Sequence, residues 1–350
     1  MNVYKLLFLT VLFTLFSLSC SNERDRELTV LQLNLWVQGA NVEGAPQGVV
    51  DLVVQTNPDI VLLCELNAGS EHPFVPWLVE ELKKRGKTYF GDDKNAQVGI
   101  LAKYPLANTT LLLPTEERHR PLLKAQLDVS GRIVTAYSAH MDHLHYACYL
   151  PRGASAMTWK KIDAPVTDPD SILAVNRDGF RDEYARSFLA DAERETAKGH
   201  IVILGGDFNE PSHLDWREDT KDMRCHGGAV VDWDVSLMLQ AAGYIDTYRQ
   251  CHPNAVTHPG FTYPAGNTAA RLESLHCVPD ADERDRIDFI YYSPHPGLKL
   301  TSAHIVGPPA SVLYGKISPP DAADEFIEPR SVWPTDHKGN LAKFELRIES

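Results

Sequence analysis

The order of apolar runs along this chain predicts an α/β fold in a single domain. Short strand-like runs recur from Leu28 to Ile348, segments of helical spacing stand between several of them, and neither an internal repeat nor a linker divides the series. The 350 residues are 43% hydrophobic, an ordinary globular composition that supports a sizeable core.

The first residues are expected to lie outside that domain. A positive charge at Lys5, an apolar stretch from Leu6 to Phe16 and the ending Leu18-Ser19-Cys20 describe an export signal too short to span a bilayer with margin. The ending resembles the lipobox of bacterial lipoproteins. That resemblance implies a signal peptide over 1–19, a lipid on Cys20 and attachment to a membrane of the bacterial cell envelope, on its periplasmic or surface side. Cleavage to a soluble product is the alternative. Residues 20–27 then make a short polar tether, and the domain occupies 28–350.

Leu28 to Trp36 alternates apolar and polar residues and reads as the first strand, delivering Asn34 near its end. Val49, Val50, Val53 and Val54, with Pro46 in the first turn, predict a helix over 46–55, broken by Asn57-Pro58-Asp59. Ile60 to Cys64 is an apolar strand ending in Glu65. Pro73 to Gly86 reads as a helix whose last turn is cationic, as suits a helix C-terminus. Val98 to Ala102, Leu122 to Val129 and Ile133 to Ala139 follow as strands, the last delivering His140. Tyr146 to Asn176 has no clear period, and a long excursion of that kind inside a compact domain is more often functional than a linker. Helical spacing returns over 177–198. Ile201 to Leu204 is a buried strand, Gly205 and Gly206 predict a sharp turn, and Asp207 and Asn209 stand two residues apart beyond it. A helix over 231–242, a strand over 286–292 carrying Asp288, and a last strand over 341–348 complete the series, with Asp336 and His337 just before the last.

Charge narrows the function. Lys and Arg total 34 against 47 Asp and Glu, a net charge of −13, which argues against general polyanion binding while leaving room for a small site where a metal ion offsets the charge. There are six cysteines. Cys64 lies in a strand and reads as a buried thiol; among the rest, Cys251 with Cys277 and Cys148 with Cys225 are candidate bridges whose pairing sequence leaves open. His140, His143 and His145 form H-x-x-H-x-H, a spacing that suits metal ligands and equally suits a loop edge.

Asn34, Glu65, His140, Asp207, Asn209, Asp288, Asp336 and His337 all sit where an apolar run hands over to a turn. Strand ends hold functional groups rigidly while loops keep them accessible. Carboxylate and amide oxygens suit a hard cation such as Mg2+ or Mn2+, and histidines add proton transfer, which together is an inventory for phosphoester hydrolysis.

The segments LQLNLW, PDIVLLCE, VGILAKYP, YSAH, GGDFNEP, RIDFIYY and PTDHKG, in this order, resemble the endonuclease/exonuclease/phosphatase superfamily with the deoxyribonuclease I-like fold. The resemblance implies a four-layer α/β sandwich, two packed mixed β-sheets flanked by helices, with the site at one end. It implies Glu65 as principal metal carboxylate with Asn34 and Asp336 beside it. Asp207 and Asn209 are implied to contact the phosphate and orient water, with His140 at a phosphoryl oxygen or the leaving group. Asp288 completes the ring, and His337 is implied as general base, or as the acid. Trp36 stands where certain relatives carry an acid, so one metal or two stays open. A histidine at 140 is closer to the deoxyribonuclease I and sphingomyelinase branches. The excursion over 142–176, with Tyr146, Tyr149 and Trp159, is expected to wall the pocket.

The expectation is an exported, lipid-anchored, Mg2+-dependent phosphoesterase, monomeric, acting on a phosphodiester or phosphomonoester. A nuclease and a sphingomyelinase-like phospholipid hydrolase are the alternatives within that class. A non-catalytic surface-binding protein that keeps the fold, and a carbohydrate hydrolase with paired carboxylates, are alternatives outside it.

Overall fold

The computed structural model describes residues 24–348 apart from 68, 70 and 113–120. The expected export signal, Cys20 and the first part of the tether lie outside these. The chain opens with β1 (Arg24–Asn34), a short turn α1 (Trp36–Gly39), α2 (Ala45–Thr56), β2 (Ile60–Cys64), α3 (Phe74–Lys84), β3 (Phe90–Asp92), β4 (Val98–Ala102) and β5 (Leu106–Leu112). It continues through β6 (Leu122–Val129), β7 (Arg132–His140), α4 (Pro169–Arg177), α5 (Arg181–Thr196), β8 (Ile201–Asp207), α6 (Asp234–Ala241), β9 (Ile245–Asp246) and α7 (Thr247–Cys251). It closes with β10 (Asp288–Tyr292), β11 (Leu298–Val306), β12 (Ser311–Leu313), β13 (Lys316–Ser318), β14 (Phe326–Ile327) and β15 (Gly339–Ile348).

Two mixed sheets result. One runs β14-β11-β15-β1-β2-β4-β3 and the other β5-β6-β7-β8-β10-β9. Because side chains alternate along a strand, each sheet offers an inner and an outer apolar face. Leu62, Ile100, Phe344, Leu127, Val134, Ile203 and Ile290 fill the space between the sheets. On the outer face of the first sheet, Leu31, Val61 and Leu63 pack on Val50 and Val53 of α2 and Leu78 and Leu82 of α3. On the outer face of the second, Tyr137, Val202 and Leu204 pack on Tyr184 and Phe188 of α5 and Leu239 of α6. The outcome is helix, sheet, sheet, helix: the four-layer sandwich expected above.

Several elements differ from the sequence reading. Residues 205 and 206 do not turn: β8 continues through both glycines to Asp207. A Cβ on Gly206 would meet the Ala139 carbonyl oxygen at 2.0 Å and one on Gly205 would meet Leu62 Cδ1 at 2.7 Å, so close packing in the strand explains these glycines. β1 starts at Arg24, where it pairs with Ile348 of β15. The helix read over 177–198 is α5 alone, which starts at Arg181 after Gly179 and Phe180 (φ 55°), while α4 lies within the excursion, where the sequence showed no clear period. The strand β11, absent from the sequence reading, pairs along β15 through a bulge between Leu300 and Ser302. Cys64, Cys148, Cys225, Cys251 and Cys277 are all free thiols, so neither candidate bridge forms; Cys64 is buried as expected. Among the described residues no helix is long and apolar enough to cross a membrane.

Candidate active site

Strand pairing brings the polar strand ends to one rim of the sandwich. In the second sheet His140 of β7 is registered with Asp207 of β8, and Asp207 with Asp288 of β10. In the first sheet Asn34 of β1 is registered with Cys64 of β2, and Glu65 comes next along the chain.

Asn34 joins the two sheets. Its Nδ2 donates to Glu65 Oε1 at 3.1 Å and to Asp207 Oδ2 at 2.9 Å, and lies 3.4 Å from His337 Nε2. Its Oδ1 accepts the Trp36 N–H at 2.8 Å, while Glu65 Oε2 accepts the Val37 N–H at 3.0 Å. Asn34 is thus a hydrogen-bond donor between two carboxylates in this arrangement, where the family resemblance implied a metal ligand. Both peptide donors belong to α1, whose Trp36, Val37 and Gln38 lie in the left-handed region at φ 44°, 56° and 59°. That conformation costs an L-residue about 1–2 kcal/mol, and the hydrogen bonds to Asn34 and Glu65 offset it. Glu65 (φ 58°) and Asn209 (φ 49°) are left-handed as well, so unusual backbone is concentrated at the centre of the site.

His337 Nδ1 stands 2.8 Å from Asp288 Oδ2, the geometry of a ring N–H donating to a carboxylate. The other Asp288 oxygen accepts Gln32 Nε2 at 2.9 Å, and Gln32 Oε1 accepts Asn340 Nδ2 at 3.0 Å. The Tyr263 ring lies 4.9 Å from the His337 ring, and Trp333 Nε1 donates to the His337 carbonyl at 2.7 Å. His337 Nε2 therefore faces Asn34, with Asp207 Oδ2 at 3.9 Å and Asp336 Oδ1 at 4.0 Å. Burial alone would lower this imidazole; Asp288, Asp207 and Asp336 outweigh it and hold it well above its ordinary value. Burial raises the Asp207 carboxyl, with Asp288 and Glu65 adding to the rise and His337 opposing it. Burial pushes Asp336 up to about 7, again against the pull of His337.

His140 Nε2 lies 3.6 Å from Glu65 Oε1 and 3.9 Å from Asp207 Oδ2. The Asn209 N–H donates to Asp207 Oδ1 at 2.8 Å, and its side-chain Nδ2 donates to the Met141 carbonyl and to Asp207 Oδ2. All eight residues singled out from the sequence are therefore gathered at one rim. Gln32, Tyr263, Trp333 and Asn340 were missed. Gln32 carries a signal in hindsight, since it lies two residues before Asn34 on the same face of β1; Tyr263 sits in a loop-rich stretch with no period to mark it.

A cavity of about 690 Å³ opens over this cluster. Glu65, His140, Asn209, Asp336 and His337 form its polar floor, and His143, Tyr146, Tyr149 and Trp159 from the excursion contribute to its wall. The H-x-x-H-x-H motif is divided: His140 belongs to the floor and His143 to the wall. Among the described residues, the group whose ligand atoms come together closely enough for a metal is Glu65, Asp207 and His337, all within 4.8 Å of one another.

A family model described as the Endonuclease/Exonuclease/phosphatase family matches residues 31–337. The chain belongs to that family. Endonuclease/exonuclease/phosphatase members are hydrolases of phosphoester bonds and are generally dependent on a divalent metal. A relative from Caenorhabditis elegans, an uncharacterised protein, is 29% identical over 294 residues, covering 82% of this chain and 85% of its own. Among solved structures, humanized D. rerio TDP2 superposes with a TM-score of 0.51 at 18% identity, covering 91% of this chain and 98% of that one. The human Nocturnin catalytic domain with bound sulfate gives 0.52 at 14% identity, covering 93% and 96%. These structural likenesses carry the fold. The donor set here fits a divalent cation on its own terms: the carboxylate oxygens are hard, and Asp207 is driven upward by burial and then by the neighbouring charges of Asp288 and Glu65, which a cation would offset.

Proposed function

We propose that this chain is an exported, lipid-anchored phosphoesterase that hydrolyses a phosphodiester or phosphomonoester by in-line attack of water, with His337 as general base and Mg2+ or Mn2+ as cofactor. The observation that carries the reading is the His337–Asp288 pair at 2.8 Å, with Nε2 turned toward the carboxylate cluster on the cavity floor. Glu65, with Asp207 and Asp336 beside it, would hold the cation, while Asn34 positions Glu65 and Asp207 by hydrogen bonds. When bound, the cation offsets phosphate charge and assists the attack of water. With a cation offsetting Asp207 and Asp336, which otherwise help Asp288 hold the imidazole upward, His337 would take the proton at Nε2 while Asp288 fixes the ring through Nδ1 and stabilises the imidazolium that forms. His140 stands beside Glu65, placed to donate to a phosphoryl oxygen or to the leaving group. Asn209 has its amide N–H groups on Met141 and Asp207, so it acts first by holding Asp207, and then on the phosphate.

Export and anchoring are supported by the apolar run from Leu6 to Phe16 and the Leu-Ser-Cys ending. The test is turnover of bis(4-nitrophenyl) phosphate by the purified protein with and without chelator, beside His337→Ala. Chelator-sensitive turnover that His337→Ala loses is expected; metal-independent turnover, or an active His337→Ala, overturns the reading. A nuclease is the second reading, favoured by the fold it shares with D. rerio TDP2, one structure of which is complexed with a single-strand DNA product. Plasmid nicking measured against release of a small ester separates the two.

A further inference from the structure

β1 spans the sandwich from end to end. It starts at Arg24, paired with Ile348 at the close of β15, and finishes at Asn34 on the rim of the cavity. Its 11 residues of extended chain cover about 33 Å. β15 retraces that path, leaving the rim at Gly339, two residues after His337. The second sheet is aligned with the first. β7 ends at His140 on the rim, and at its other end, in the turn from β6, Ser130 Oγ accepts Arg26 Nη1 at 3.4 Å. One end of the body therefore holds the cavity, and the opposite end holds the start of β1.

The start of β1 is also the end to which a lipid on Cys20 would be joined. Four peptide steps separate Cys20 from Arg24, and a trans chain advances at most about 3.6 Å per residue, so these steps reach about 14 Å. Turning the cavity mouth onto the same bilayer would need a tether that runs the length of the body. Charge favours the upright posture too. Arg26, Arg132 and Arg347 stand at the end where β1 begins, where Arg132 Nε donates to the Arg347 carbonyl at 3.2 Å. Asp25, Glu27 and Asp128 are among them; Lys343 Nζ lies 3.3 Å from Glu27, and the Gly131 N–H donates to Asp128 Oδ1 at 2.6 Å. At the mouth, none of the described residues that line the cavity is Lys or Arg, and Glu65 and Asp336 face into it. An anionic lipid surface attracts guanidinium groups and repels carboxylates.

We propose that the anchored chain stands on its membrane by the end where β1 begins, with the cavity opening away from the bilayer, so that it acts on esters arriving from the aqueous side and not on headgroups of the lipids that hold it. The inference rests on the lipid-anchored phosphoesterase reading above and deepens it, since it fixes the side from which substrate reaches the site.

The test uses the full chain, with its lipid on Cys20 verified by mass spectrometry, in vesicles of phosphatidylethanolamine and phosphatidylglycerol that carry an acceptor dye on a lipid headgroup. A fluorescent amino acid replaces Ser130 at the β1 end or, in a second preparation, Met157, an exposed residue of the excursion close to Trp159 on the cavity wall. Donor emission is expected to be largely lost to the acceptor from position 130 and largely kept from position 157. Equal loss from the two positions, or greater loss from 157, overturns the inference. Should the Ser130 variant fail to fold, Lys299 of β11, registered with Glu345 of β15, takes the donor at the same end. A chain that lacks the lipid and stays out of the vesicles overturns the anchored reading instead. Absence of chelator-sensitive turnover of bis(4-nitrophenyl) phosphate overturns the phosphoesterase reading, whatever the dyes report.

Discussion

Asp288 meets His337 at 2.8 Å through one carboxylate oxygen and Gln32 at 2.9 Å through the other. The orienting acid is held from both sides, by residues 256 positions apart in one case and 49 in the other. Replacing Asp288 by Asn leaves a similar shape but changes what His337 Nδ1 can do. Asp288→Asn is expected to lower kcat on bis(4-nitrophenyl) phosphate by about 10²–10⁴-fold, with KM little altered. Steady-state kinetics read both.

Glu65 accepts the Asn34 amide and the Val37 N–H and lies in the metal-capable group. Glu65→Gln keeps the size and removes the charge. The concentration of Mg2+ giving half-maximal activity should rise by about 10–100-fold, read from a metal titration of the chelated protein.

Gly206 lies in β8 with no room for a methyl group, since a Cβ would sit 2.0 Å from the Ala139 carbonyl oxygen. The clash is with backbone of the neighbouring strand, which cannot step aside without disturbing the ladder. Gly206→Ala is expected to destabilise the fold by about 2–4 kcal/mol, measured by urea unfolding, and to lower activity because Asp207 is the next residue.

Acid stability turns on Glu195, far from the active site. It accepts Lys124 Nζ at 2.6 Å, Gln126 Nε2 at 2.7 Å, His200 Nδ1 at 2.8 Å and Lys198 Nζ at 3.1 Å. Burial alone would raise its carboxyl, and these partners outweigh it and lower it to about 2 from an ordinary 4.5. A folded value below the unfolded one gives stability that is fully present above about pH 4.5 and is lost as pH falls toward 2. Melting temperature measured from pH 6 to pH 2.5 should fall less steeply for Glu195→Gln than for the unaltered protein, the variant starting lower at pH 6.

The strand ends were legible because a hydrophobic run followed by a turn residue marks a strand locally. Val98 to Ala102 and Leu122 to Val129 match β4 and β6 residue for residue, and every polar residue named at a strand end reaches the rim. Non-local causes were not legible. Gly205 and Gly206 are glycines because of Ala139 and Leu62, which no inspection of the GGDFNEP stretch reveals. β11 mixes Lys, Thr and Ser into its alternation and owes its extension to β15. The orientation of Asn34 depends on Glu65 and Asp207 from two other strands and on a left-handed turn that Trp36-Val37-Gln38 gives no sign of. The excursion over 142–176 was expected to wall the pocket, and Tyr146, Tyr149 and Trp159 do; the carboxylates behind them come from 283 and 285.

The pairing of His140 with Asp207 and of Asp207 with Asp288 acts as a ruler. Backbone ladders fix the spacing of those three side chains, and a one-residue insertion or deletion in β7, β8 or β10 would turn its polar end to the opposite face of the sheet. The wall has no such constraint, because it is carried on loops whose length can drift while the ruler stays still. Descendants of this chain are therefore free to change what they act upon far more readily than how they act.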